Sequence, residues 1–256
     1  MIDIKKALTS EYAPAYTATN EDIRWIVDAY PSARDILTVA GSGDQALFYA
    51  QNGTRQVDTF DITRMAKMIQ DIKTTALQHL NHTEYKQFIV DICRHAPNPN
   101  TSKIIANMPD DSRELLVNPL PPMKFKTRIT IDNPNLPTWT EYEHMRKNIT
   151  QPFNFICAPL STLGKHITKQ YDIINVSNIF DNFYGDNLSS AGAQMETIMG
   201  LCANLKLGGH ILYIPQNRHY DFSKIIDEQT HGCKCMPPIQ HPTDRFTQII
   251  PIQRTR

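Results

Sequence analysis

A chain of 256 residues, 41% hydrophobic and 20% charged, is long enough to bury one substantial core and lacks the bias of disordered or fibrous sequences. Its 26 basic and 26 acidic residues balance, so composition gives no strong signal for nucleic acid or an anionic membrane surface. No stretch holds 18 consecutive apolar residues, and Met1 to Ala7 carries no apolar signal core, so a cytoplasmic protein without a transmembrane segment is expected.

Residues 1–31 read as an N-terminal lid and helix, and 32–256 as an α/β domain with an irregular insertion at about 95–151. Tyr12, Pro14 and Tyr16 suit either a lid over a nearby site or simple packing on the first helix. Thr19 or Asn20 is a good N-cap, with Glu21 and Asp22 in the first turn ahead of the apolar face Ile23, Trp25, Ile26 and Ala29.

Ile36 to Ala40 is a β-branched, apolar run that predicts a buried parallel strand. Gly41-Ser42-Gly43-Asp44-Gln45-Ala46 then fits the loose G-x-G-x-x-G/A pattern, in which glycines turn the backbone tightly and let it approach a ligand. The alternative is a strand-to-helix turn whose glycines serve packing alone. A short helix from about Asp44 to Gln51 leads to a second strand, Gln56 to Asp61, whose closing acid stands 20 residues after Gly41. An acid at that place accepts hydrogen bonds from ribose hydroxyls, so the pair of elements predicts a ribose-bearing ligand.

Thr63 to Leu80 carries Met65, Met68, Ile69, Ile72, Ala76 and Leu80 on one helical face, with its lysines outside, and Thr83 to Cys93 reads as a further helix. From His95 to Gln151, eight prolines interrupt the pattern, which suggests an inserted or lid segment. Within it Lys124 to Ile131 alternates like a half-exposed strand and Thr140 to Asn148 like a short helix. Regular alternation resumes with the strand Phe153 to Cys157, a loop and short helix from Leu160 to Lys169, and the strand Tyr171 to Ser177. Ala191 to Leu205 predicts a helix ended by Gly208-Gly209, followed by the strand His210 to Ile214, a helix at Asp221 to Glu228 and a last strand at Phe246 to Ile252. Cys93, Cys157, Cys202, Cys233 and Cys235 are odd in number and irregularly spaced, which predicts reduced thiols. Cys233-Lys234-Cys235 has His231 and His241 nearby but no second ligand pair at zinc spacing, so no metal site is expected.

Alternating strands and helices imply a doubly wound, mostly parallel sheet, with a ligand beyond the strands' carboxyl ends. Four such ends should converge: Ala40 to Asp44, Asp61-Ile62, Cys157 to Leu160 and Ser177 to Phe180.

The glycine loop, the acid-ended second strand, the strand Tyr171-Asp172-Ile173-Ile174 and the run Leu205-Lys206-Leu207-Gly208-Gly209-His210-Ile211-Leu212 resemble a class I S-adenosylmethionine-dependent methyltransferase. More narrowly, Leu37 to Leu47, Asp61-Ile62, the helix with Lys73 and Tyr85 to Phe88 resemble the 3-amino-3-carboxypropyltransferases of betaine-lipid synthesis. The resemblance implies a Rossmann-like methyltransferase fold and S-adenosylmethionine as cofactor. Ala40, Gly41 and Gly43 would lie along its methionine part, with Ser42 and Asp44 available to its amino or carboxylate group. Asp61 would hold the ribose. Ile62, Ala158, Pro159 and Leu160 would border the adenine, and Ser177 and Asn178 the sulfonium and the incoming acceptor. One departure is Thr38, which stands where most methyltransferases carry an acid before the first glycine. Candidate proton acceptors are Asp181, Tyr184 and Asp186, with Tyr16 or Tyr12 from the N-terminal segment.

The expected function is transfer of a methyl or aminocarboxypropyl group to a small-molecule or lipid-like acceptor. The alternatives are an NAD-dependent oxidoreductase, which would share the first two strands, and a nucleoside-binding regulatory protein without turnover.

Overall fold

The computed structural model describes residues 18–19, 21–53, 55–94, 96–117, 129–181, 191–215, 226, 232–244 and 247–256. Its strands are β1 (Asp35–Val39), β2 (Gln56–Asp61), β3 (Asn154–Cys157), β4 (Tyr171–Ser177), β5 (Leu205–Tyr213), β6 (Cys233–Cys235), β7 (Ile239–Gln240) and β8 (Gln248–Arg254). The helices are α1 (Ile23–Asp28), α2 (Asp44–Ala50), α3 (Arg64–His79), α4 (His82–Arg94), α5 (Thr101–Asn107), α6 (Asp110–Val117), α7 (Trp139–Asn148), α8 (Leu160–Leu163) and α9 (Ala191–Cys202).

The strand order is β3-β2-β1-β4-β5-β8-β6, with β7 paired to β8. β1 to β5 run parallel, and β8 is antiparallel to β5 and to β6. The chain winds outward from β1 through β2 to β3, then crosses back to β4 on the other side of β1. That reversal makes the carboxyl ends of β1 and β4 the topological switch point.

Successive residues of a strand point to opposite faces, and the two cores show it. Ile36, Ile173 and Leu212 pack with α1 to α7, whereas Leu37, Ile174, Ile211 and Tyr213 pack with α8 and α9. Burying such runs on both faces is what a parallel sheet requires, at about 1.5–3 kcal/mol for each large apolar side chain.

Several local expectations change. The N-cap of α1 is Asp22, whose side chain accepts from Trp25 N, rather than Thr19 or Asn20. The insertion contains α5 and α6, which were not anticipated. Ile104 of α5 and Tyr142 and Met145 of α7 join the core formed with α2 and α3, so its described part buttresses one face of the sheet. Ile129 to Ile131 are not in a strand, and the rest of the strand expected from Lys124 lies outside the described residues, as does the helix at Asp221 to Glu228. The helix before β5 ends at Cys202, and β5 already begins at Leu205. Gly208, at φ +80°, therefore sits inside the strand at an irregularity in its pairing with β4, and a Cβ on Gly209 would lie 2.9 Å from the Tyr171 carbonyl oxygen. These glycines serve a close strand-to-strand approach rather than a helix end. The structure brings Cys202 together with Cys233 across 31 residues, whereas Cys93, Cys157 and Cys235 carry no disulfide. Irregular spacing in sequence carries no information about which cysteines the fold brings together. Among the described residues no helix is long and apolar enough to cross a membrane.

Candidate functional site

The four strand ends meet as the alternation requires, because β1 pairs in parallel with β2 and β4, and β2 with β3. At the centre, the chain leaves β1 through Ala40 and turns at once, with Gly43 N donating to Ala40 O at 2.6 Å. Gly41 at φ +48° and Gly43 at φ +82° take left-handed conformations that a side chain resists. Their surroundings differ. A Cβ on Gly43 would stand 3.0 Å from Gln70 Cα in α3, whereas a Cβ on Gly41 would meet nothing within 4 Å. Gly43 therefore lets α3 pack against the loop, and Gly41 borders open space.

Asp61 ends β2 beside this loop. Its Oδ2 accepts from Gly41 N at 3.1 Å and its Oδ1 from Thr63 N at 3.2 Å, so the carboxylate and the turn fix each other. Burial pushes the carboxyl up to about 6, against the lowering pull of the Gly41, Thr63 and Ile62 backbone N–H groups. Ile62 and Pro159 are half-buried and Ala158 and Leu160 buried next to it, with Ala158 N donating to Asp61 O at 2.9 Å.

Asp44 opens α2 and has both oxygens engaged. Oδ1 accepts from Lys73 Nζ, and Oδ2 accepts from Ser42 Oγ and from Thr19 N, both at 2.9 Å. Lys73 was expected on the outer side of its helix; its side chain is instead 2% exposed, a correction that follows from α3 turning that face to the glycine loop. Lys73 and Asp44 thus tie α3, the loop and the N-terminal segment into one unit.

At the other side of the switch point, Ser177 ends β4 at φ 50°, a left-handed conformation that costs a non-glycine residue about 1 kcal/mol or more. Three bonds hold it there: its N–H donates to Asn175 Oδ1 at 3.0 Å, its carbonyl accepts from Ile214 N at 2.8 Å, and its hydroxyl donates to Glu21 Oε1. Glu21 also accepts from Gln45 Nε2. Gln45 Oε1 in turn accepts from Thr38 Oγ1 at 2.8 Å and from Asn175 Nδ2 at 3.1 Å. A buried network of Thr38, Gln45, Asn175, Ser177 and Glu21 therefore spans β1, α2, β4 and the N-terminal segment. Asn178 is buried directly after it.

In the sequence Glu21 reads as a first-turn acid, and nothing there singles out Gln45 or Asn175. The one signal for such a network was Thr38, a hydroxyl at a position where a carboxylate was expected. Tyr16 and Tyr184, like Tyr12 and Asp186, lie outside the described residues, and the backbone of Asp181 closes a short 3-10 turn after β4. No group of three His, Cys, Asp or Glu among the described residues is placed to hold a metal ion.

No family model matches the chain, and no curated protein matches it in sequence. Solved structures do match. The rRNA methyltransferase aviRa from Streptomyces viridochromogenes is 8% identical, covering 94% of this chain and 88% of its own, with a TM-score of 0.50. The N-methyltransferase NodS from Bradyrhizobium japonicum is 8% identical over 91% of this chain and 93% of its own, with a TM-score of 0.47. Magnesium protoporphyrin IX methyltransferase from Synechocystis is 11% identical over 100% and 99%, also at 0.47. At such identities the likeness is one of architecture: the chain has the Rossmann-like fold found in methyltransferases.

Proposed function

We propose that the protein is an S-adenosylmethionine-dependent transferase acting on a small-molecule or lipid-like acceptor. The observation that carries the reading is the pairing of Asp61 with the Gly41 turn at the switch point of a methyltransferase-type sheet. The residues suit the cofactor. Gly41 borders open space, and Asp61 presents a carboxylate with acceptor capacity beyond its backbone donors. In this reading Asp61 accepts from the ribose hydroxyls, and Ile62, Ala158, Pro159 and Leu160 flank the adenine. Ala40, Gly41, Ser42 and Gly43 line the amino-acid part, which leaves Asp44 to brace the loop. Ser177 and Asn178 face the reacting carbon and the acceptor.

When bound, the cofactor supplies a carbon already activated by its sulfonium, so the protein's share is alignment and exclusion of water. The ordered turn, the braced Asp44 and the locked Ser177 backbone provide that alignment. A proton acceptor is required only for a hydroxyl or amine acceptor, and Asp181, Tyr184 and Tyr16 are the candidates for it.

Asp61→Ala is expected to weaken S-adenosylmethionine binding by about 1.5–3 kcal/mol, the worth of hydrogen bonds to a charged acceptor; unchanged affinity by calorimetry would remove Asp61 from the site. The pH dependence has a definite sign. As pH falls through about 6, Asp61 takes up a proton and loses acceptor capacity, so affinity should fall between about pH 7 and 5. Asp61→Asn should bind weakly at both ends of that range, and a wild-type affinity flat across it would contradict the assignment. The transferred group is read from the product of turnover with a competent acceptor: S-adenosylhomocysteine marks methyl transfer, and methylthioadenosine marks aminocarboxypropyl transfer.

A further inference from the structure

We infer that Gln70, in the middle of α3, is a specificity-determining residue of the cofactor site, its amide taking the α-amino-acid end of S-adenosylmethionine. The inference rests on the S-adenosylmethionine reading above and gives that end of the ligand a side-chain partner.

The polar side chains that border the glycine turn differ in what they already hold. Asp61 accepts from Gly41 N and Thr63 N. Asp44 has one oxygen on Lys73 Nζ and the other on Ser42 Oγ and Thr19 N. Gln70 stands apart from both. Its chain runs alongside Gly43, where a Cβ would lie 3.0 Å from Gln70 Cα, 3.3 Å from its Cβ and 3.5 Å from its Cγ. It is 0% exposed, and among the described residues neither its Oε1 nor its Nε2 has a hydrogen-bond partner.

Burying an amide with both ends unmet is costly, more so than burying an apolar side chain of the same shape. Such groups are rare in folded proteins, and each needs a reason. A partner that arrives with a ligand is one, because the cost carried by the unliganded chain then becomes affinity.

The chemistry of the amide selects the ligand group. Two donors on Nε2 and an acceptor on Oε1 stand side by side without net charge. An α-amino-acid end is the complement, with a carboxylate to accept and an ammonium to donate on one carbon. Bonds to such charged groups are about twice as strong as neutral ones. Lys73, one turn further along α3, does not compete for the carboxylate, because its ammonium is held by Asp44. With the ribose at Asp61 and the rest of the molecule along Ala40 to Gly43, the amino-acid end comes to the turn that Gln70 backs. Gly41 borders open space and Gly43 lies against Gln70, so the ligand arrives at one glycine and the amide waits beside the other. The Cα of Gln70 is fixed in the helix, and the amide meets the ligand by rotation about its own side-chain bonds.

The test is a cycle of two proteins and two ligands. S-adenosylhomocysteine carries the amino-acid end and 5′-methylthioadenosine lacks it, and Gln70→Met keeps the length of the side chain while removing the amide. Wild-type protein should prefer S-adenosylhomocysteine, and Gln70→Met should lower that preference roughly 10- to 100-fold. Binding of 5′-methylthioadenosine should stay within about twofold, which reports an intact pocket. The melting temperature of unliganded Gln70→Met should equal or exceed that of wild type, because an unmet buried amide has been removed. A merely structural Gln70 would give that melting result without the change in preference. A Gln70→Met protein that keeps the wild-type preference therefore overturns the inference and leaves the cofactor reading standing. A wild-type protein that binds neither ligand overturns both. If Gln70→Met does not fold, Gln70→Glu goes through the same cycle: a carboxylate set against the ligand's carboxylate should lower the preference at least tenfold, and a preference equal to wild type overturns the assignment.

Discussion

Replacing Lys73 by Met is expected to destabilise the protein by about 3–5 kcal/mol, because it leaves a buried carboxylate without its counter-charge. The Lys73 and Asp44 side chains are 2% and 10% exposed, so water screens the pair poorly and cannot replace the lost partner. For a chain of this length, about 2–4 °C of melting temperature accompanies each kcal/mol, so a fall of roughly 6–20 °C is expected. Lys206 provides the comparison within the same molecule. It pairs with Asp35 and Asp172, but its side chain is 40% exposed, so Lys206→Met should cost no more than about 1 kcal/mol. The two substitutions remove the same charge, and the difference between them measures burial. A Lys73→Met protein melting within a degree or two of wild type would show that Asp44 needs no cation, and the bracing of the loop would have to be assigned elsewhere.

Gly43→Val should produce the second large effect, and it should appear in binding more than in folding. At φ +82° a β-branched residue is strained by about 1–3 kcal/mol. Its Cβ would also meet Gln70 Cα at 3.0 Å and Gln70 Cβ at 3.3 Å, and a helix backbone cannot swing away as a side-chain end can. The loop relieves both by leaving its conformation, and a ligand must then restore it. Converted at 1.4 kcal/mol per tenfold, the strain alone lowers cofactor affinity roughly 5- to 150-fold, and the collision adds to that. Circular dichroism should remain that of a folded protein. Gly41→Ala carries backbone strain at φ +48° as Gly43→Ala does at φ +82°, but with no atom within 4 Å of the added Cβ it should disturb packing less than Gly43→Ala. Loss of the fold in Gly43→Val with cofactor affinity intact in Gly41→Ala would reduce both glycines to packing residues.

The parts of this structure that could be read from the sequence are those decided locally. β2 and β4 have the expected ends because each strand-forming run is bounded by polar or turn residues. The glycine turn was legible because left-handed backbone selects glycine, and Asp61 because a βαβ unit fixes the distance from turn to acid. Elements decided by distant partners were not. Lys73 reads as a solvent-facing lysine until α3 is laid against α2, and its partner Asp44 is 29 residues away. Glu21 reads as a first-turn acid until Ser177, 156 residues later, is placed beside it. The prolines of the insertion read as breakers in the sequence, yet Asn98-Pro99-Asn100 leads into α5 and Pro109 into α6. Proline is tolerated at the start of a helix, where its missing N–H has no intrahelical partner to lose. Gly208-Gly209 misled in the opposite direction, since a helix end and a strand bulge both select glycine and only the pairing of β5 with β4 distinguishes them.

Calorimetric titration of the wild-type protein tests most directly the proposal that the carboxyl ends of β1, β2 and β4 hold S-adenosylmethionine. S-adenosylmethionine and S-adenosylhomocysteine should each bind at one site per chain, with NAD giving no saturable heat under the same conditions. Saturable binding of NAD in place of the two adenosyl ligands would contradict the account and return the glycine turn and Asp61 to a dinucleotide.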